Sequence, residues 1–139
     1  MKGECLCGNV KFEIEEEIRN FYQCHCSLCR KVTGAAANAA TFVQGTAFRW
    51  VSGESGIKSY KKPSGFRSDF CSECGSPVPN SLRDSGMVWI PAGLLDEAVA
   101  SRVSVHLHTK SAAPWELESA ECVRLDGGPD SLESLNKLL

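Results

Sequence analysis

Gln23-Cys24-His25-Cys26-Ser27-Leu28-Cys29-Arg30-Lys31 sets three cysteines within six residues, a density that metal ligation explains and ordinary core packing does not. Cys5 and Cys7 precede this stretch, and Cys71 and Cys74 follow it. Seven of the eight cysteines thus form a Cys-x-Cys, Cys-x-Cys-x-x-Cys, Cys-x-x-Cys series, and only Cys122 stands apart. A lone thiol of that kind reads as a small buried hydrophobe. An odd number of clustered thiols pairs poorly into disulfides, so the series reads as two zinc sites, one closed and one open.

A tetrahedral zinc with Zn–S near ~2.3 Å holds its sulfurs roughly 3.8 Å apart, so each site needs tight turns drawn from distant segments. Gly8 follows Cys7 and Gly75 follows Cys74, and a glycine there lets the backbone double back beneath a metal. The central cluster lacks that ending. Cys5, Cys7, Cys71 and Cys74 therefore group into a closed, structural four-thiolate site that clamps the N-terminal strand onto the middle of the chain. Cys24, Cys26 and Cys29 remain as three ligands with a fourth position for an outside group, the arrangement of a catalytic zinc. Three thiolates around Zn²⁺ leave a formal charge of about −1, which makes a poor hydroxide generator and a good host for a soft thiol. Coordination would strip that thiol's proton despite a free pKa near ~8.5. Arg30 and Lys31 are placed to offset the added negative charge of a thiol substrate.

The chain of 139 residues, 42% hydrophobic, is about one domain's worth and long enough to bury a core. Met1 to Cys5 has no apolar run behind its positive charge, and no window approaches the ~20 apolar residues of a membrane span. A soluble cytoplasmic protein with reduced thiols is expected. The formal charge of −2 falls to about −5 if seven thiolates bind two Zn²⁺ ions. That balance disfavours nucleic acid as a partner and leaves a small thiol and a small electrophile. Oligomeric state is not legible here.

Short strands punctuated by turns fill the rest. Val10–Ile14 alternates apolar and polar residues, as a half-buried strand does. Phe48–Val51, Ile57–Tyr60, Phe66–Phe70, Val88–Ala92 and Val103–Leu107 read likewise between Ser-Gly and Pro-Ser-Gly turns. Ser27 to Gly34 reads as a short helical turn with Ser27 as N-cap and Gly34 as terminator. The small run Ala35–Ala40 is either a close-packed strand or room left beside a ligand. Asp130 with Glu133 gives a capping box for a last helix whose leucines, at 132, 135, 138 and 139, fall near one face.

His25 lies between two ligands, where alternation turns it away from their metal; hydrogen bonding behind the ligands or a direct chemical role are both open to it. His106 and His108 share one face of an expected strand, with a structural role favoured over metal binding. Trp50, Trp89 and Trp115 read as core or pocket walls. Arg67 and Asp69 precede the last cysteine pair and either support it or touch substrate.

The series Gly3-Glu4-Cys5-Leu6-Cys7-Gly8, Cys24-His25-Cys26-Ser27-Leu28-Cys29-Arg30 and Phe70-Cys71-Ser72-Glu73-Cys74-Gly75-Ser76-Pro77-Val78, followed by Gly93–Glu97, His106–His108 and Pro114–Glu116, resembles the glutathione-dependent formaldehyde-activating enzyme (GFA) family. The wider superfamily includes centromere protein V. The resemblance spans about residues 3–115 of a single domain, leaving 116–139 as a C-terminal extension. It implies a mainly β architecture, the β-tent fold of small antiparallel sheets with zinc knuckles, to which a short C-terminal helix is added here. It also implies structural zinc on Cys5, Cys7, Cys71 and Cys74, and catalytic zinc on Cys24, Cys26 and Cys29. The implied activity is that of a carbon–sulfur lyase joining formaldehyde to glutathione to give S-hydroxymethylglutathione. A zinc-stabilised binding or scaffold module without that activity is the alternative; as a DNA binder it would require a basic surface.

Overall fold

The computed structural model describes residues 1–96, 102–116 and 131. Among these residues eleven strands and one short α-helix follow one another, with single 3-10 turns between some of them: β1 (Lys2–Glu4), β2 (Lys11–Ile14), β3 (Phe21–Cys24), α1 (Ser27–Thr33), β4 (Asn38–Gln44), β5 (Phe48–Ser52), β6 (Ile57–Lys61), β7 (Arg67–Cys71), β8 (Pro77–Val78), β9 (Asn80–Ser81), β10 (Met87–Pro91) and β11 (Val103–Leu107). They form three sheets, ordered β1-β2-β5, β11-β3-β4-β10-β9 and β6-β7-β8. The expected mainly β class with small antiparallel sheets is what the chain adopts. One pair departs from it, since β11 runs parallel to β3. Cys122, the 130–133 capping box and the leucine-bearing helix lie outside the described residues.

Alternation along β2 does what its pattern requires. Phe12 and Ile14 are buried while Lys11 is exposed, and the Phe12 ring meets Trp50 edge-on at 6.2 Å and Phe48 at 5.6 Å. Ile18, Val43 and Ile90 join them in one core. A second core contains Cys5, Val10, Cys71 and Val78, so two cysteines of the outer pairs are themselves core residues. Trp50 touches both.

β4 resolves the small-residue run. Ala39 and Ala40 pair with Gln23 and Tyr22 across β3, and Ala40 is wholly buried, so these alanines permit close strand packing. The extension of β3 into the cysteine cluster is fixed on its other side by β11. There the Phe21 N–H donates to Arg102 O at 3.0 Å and the His25 N–H to Leu107 O at 2.9 Å.

Three expectations need correction. The cap of α1 is Cys26 in place of Ser27: its backbone is extended and its Sγ accepts from the Cys29 N–H at 3.4 Å. A thiolate or thiol can stand where a serine hydroxyl usually does, because the cap requires only an acceptor. Gly34 ends the helix in the left-handed region, as expected. His108 lies beyond β11 with φ +57°, so it does not share a strand face with His106. Trp115 is 71% exposed and walls no core. No helix among the described residues is long and apolar enough to cross a membrane.

Candidate metal centres and the adjoining cavity

Cys5 follows β1, Cys71 ends β7, and the turns after them bring Cys7 and Cys74 alongside. The four sulfurs gather within 4.8 Å of one another, with Cys5 Sγ 3.5 Å from Cys7 Sγ and Cys7 Sγ 3.8 Å from Cys71 Sγ. Gly8 and Gly75 have φ of +71° and +75°, which is the knuckle conformation their sequence position suggested. The Leu6 N–H donates to Ser76 Oγ at 3.1 Å, tying the two knuckles together.

These thiols cannot ionise independently. The Ser76 hydroxyl and backbone bring Cys74 down to about 6. Cys7, although the Asn9 N–H favours its thiolate, is driven up to about 12 by the Cys5 sulfur and its neighbours. Four crowded sulfurs of this kind need a cation before all can carry charge. The donor set therefore fits a metal ion.

Cys24, Cys26 and Cys29 form the second cluster, again within 4.8 Å, and no further Cys, His, Asp or Glu of the described residues joins them. Cys24 ends β3, Cys26 caps α1, and Cys29 lies one turn in. Burial, joined by the Cys24 and Cys26 sulfurs, pushes the Cys29 thiol far up. Against its own burial, Cys26 is brought down by the Cys29 N–H and the other two sulfurs. This set fits an ion too, with three protein donors.

Behind the trio, His25 is buried at 6% exposure. Its Nε2 lies 2.8 Å from His106 Nδ1, so one ring donates to the other. Its Nδ1 lies 2.6 Å from Glu116 Oε1. Sequence reasoning gave Glu116 no role, although it closes the Pro114–Glu116 motif. Arg30 and Lys31 occupy the last turn of α1, and the Arg30 Nε is buried without a hydrogen-bond partner. Asp69, 3% exposed, accepts from Arg67 Nε at 2.7 Å, Arg67 guanidinium nitrogen at 2.5 Å and Ser59 Oγ at 2.6 Å. That network supports β6 and β7 just before Cys71.

A cavity of about 200 Å³ opens beside Cys29, with Tyr22, Phe42, Trp89, Val32, Asn38 and Arg67 among its walls. Trp89 is thus a pocket wall and Trp50 a core residue. Tyr22 and Phe42 stack with centroids 5.2 Å apart, and Trp89 Nε1 donates to the Tyr22 hydroxyl at 2.8 Å. Burial pushes the Tyr22 phenol well above its ordinary range. Nothing in the sequence marked Tyr22, because it meets Trp89 only through the β3-β4-β10 register.

The sequence profile of a family described as glutathione-dependent formaldehyde-activating enzyme matches residues 1–111. Among solved structures, a Rhodobacter sphaeroides protein from the Northeast Structural Genomics effort is similar in fold, with TM-score 0.59 and 22% identity over 74% of this chain and 100% of that one. No curated protein sequence matches the chain.

Proposed function

We propose, from the premise that this chain belongs to the glutathione-dependent formaldehyde-activating enzyme family, that it is a zinc-dependent carbon–sulfur lyase. It adds a thiol, glutathione or another, to formaldehyde or another small electrophile. The observation that carries this reading is the unequal pair of cysteine clusters, one with four donors and one with three. Cys5, Cys7, Cys71 and Cys74 hold a structural zinc, and Cys24, Cys26 and Cys29 a catalytic one.

An ion held by three thiolates supplies a Lewis acid that keeps a soft guest thiol ionised at neutral pH. The chain's own groups arrange the rest. β3 and α1 fix the three sulfurs from one side, and the buried His25, engaged with His106 and close to Glu116, holds the loop between Cys24 and Cys26 in place. Arg30 and Lys31 balance the charge that the substrate thiol brings. In the net reaction the sulfur lone pair forms the new C–S bond, the carbonyl π pair moves to oxygen, and the proton lost by the thiol is regained there. We place the protein in the cytoplasm, where thiols of this type stay reduced.

Metal analysis and a thiol–aldehyde assay test this together. Two zinc ions per chain and an accelerated disappearance of formaldehyde in the presence of glutathione or a smaller thiol are expected. Zinc-loaded protein that binds no thiol and accelerates no thiol–aldehyde pair would reduce it to a metal-stabilised scaffold.

A further inference from the structure

The cavity beside Cys29 is the part of the molecule that formaldehyde leaves unexplained. Its volume of about 200 Å³ is many times the roughly 10–15 Å³ of such space that seats one water, so an aldehyde of two heavy atoms would leave it mostly unfilled. Trp89, Phe42, Val32, Phe66 and Leu82 give it an apolar wall, while Arg67, Arg83, Asn38 and Asn80 are among the polar members of its lining. Space next to the trio is also where a carbonyl carbon must lie to reach a sulfur held there.

Among the polar groups of that lining, Tyr22 stands on β3 two residues before Cys24 and has an unspent hydrogen. Indole Nε1–H can only donate, so in the 2.8 Å contact with Trp89 the Tyr22 oxygen is the acceptor. The phenolic proton must then point elsewhere, and no residue of the described chain takes it. The ring cannot swing to find one, since it is stacked on Phe42 and held within the β3–β4 pairing opposite Ala40.

We propose that this cavity seats the carbonyl substrate, an aldehyde with an aromatic or branched apolar body, and that the Tyr22 hydroxyl donates a hydrogen bond to its carbonyl oxygen. The proposal rests on the thiol-addition reading above and names the electrophile class for it. As the sulfur attacks, the π pair becomes an oxyanion, and a fixed donor gains strength there relative to the ground state. Tyr22 keeps its proton throughout; the proton that finally resides on oxygen is the one shed by the thiol.

The experiment uses zinc-loaded full-length protein with 2-mercaptoethanol, a thiol too small to fill the cavity, and compares 4-nitrobenzaldehyde with formaldehyde. Each rate is taken relative to its own uncatalysed reaction. The larger enhancement is expected for 4-nitrobenzaldehyde. Tyr22→Phe keeps the ring stack and loses only the donor, so kcat should fall by about 10²-fold. Thiol binding, followed by the sulfur-to-metal absorption of the cobalt-substituted protein, should not change. Trp89→Phe removes the indole donor and keeps an aromatic wall, and it should cost only a few fold. A greater enhancement for formaldehyde, or equal losses in Tyr22→Phe and Trp89→Phe, would overturn the proposal while leaving thiol addition intact. Absence of both thiol binding and any aldehyde turnover would instead sink the functional reading on which it stands.

Discussion

Cys71 and Cys29 belong to different clusters, and their surroundings assign them different consequences. Cys71 is fully buried, packs with Val10 and Val78, and closes β7; its sulfur ties residues more than sixty positions apart to the start of the chain. Cys29 sits on a seven-residue helix with no buried residue of its own. Replacing either by serine should lower the zinc content from two ions to one. For Cys71→Ser we expect a large fall in melting temperature, because the lost ion is a folding ligand as well as a bound one. For Cys29→Ser the fold should persist, with thiol-dependent turnover abolished. Equal thermal losses in the two variants would contradict the assignment of one site to structure and the other to chemistry. Metal analysis and thermal melts on the same preparations provide the comparison.

At the scale of elements, β2 buries the apolar face that its alternation requires, and it yields a number. Phe12 is 1% exposed and packed against Phe48 and Trp50 from β5. Its truncation to alanine should cost about 3–5 kcal/mol, transfer and cavity terms together, measured by urea unfolding of the zinc-loaded protein. A cost under about 1 kcal/mol would mean that the metals, and not this core, hold the sheet together. The strands β5, β6, β7, β10 and β11 were readable to within a residue or so because each places aromatic or β-branched residues between turn formers. The strands β1, β8 and β9 were not, being two or three residues long and stabilised by what they pair with. β3 went unread because its four residues merge into the cysteine cluster. The parallel pairing of β11 beside it leaves no local mark, since partner choice in a sheet is decided by register and closure. For the same reason the sequence exposed both cysteine clusters, whose spacing is local, yet kept silent on Tyr22, Glu116 and the cavity. These are assembled from four or more segments.

Among the described residues, two small cores are joined by a strand network, with one cysteine cluster built into the second core and the other set at the end of β3. That placement makes the two sites unequal toward any competitor for metal. The four-sulfur cluster draws Cys5 and Cys71, both buried, so releasing its ion requires opening the second core. The trio has three protein donors, two of them partly exposed, and can lose its ion without disturbing either core. Protons compete at both sites because thiolates bind metal and thiols do not. The stabilisation from each ion is therefore present at neutral pH and is lost as the pH falls, never as it rises through the same range. Lowering the pH stepwise, or adding a chelator at fixed pH, should accordingly remove zinc in two phases. The first should take one ion and all turnover while the sheet signal in circular dichroism stays unchanged. The second should take the remaining ion together with the fold. Loss of both ions in a single step, or unfolding that precedes loss of activity, would show that the trio is as much a structural clasp as the four-sulfur cluster, and the division of labour between them would have to be abandoned.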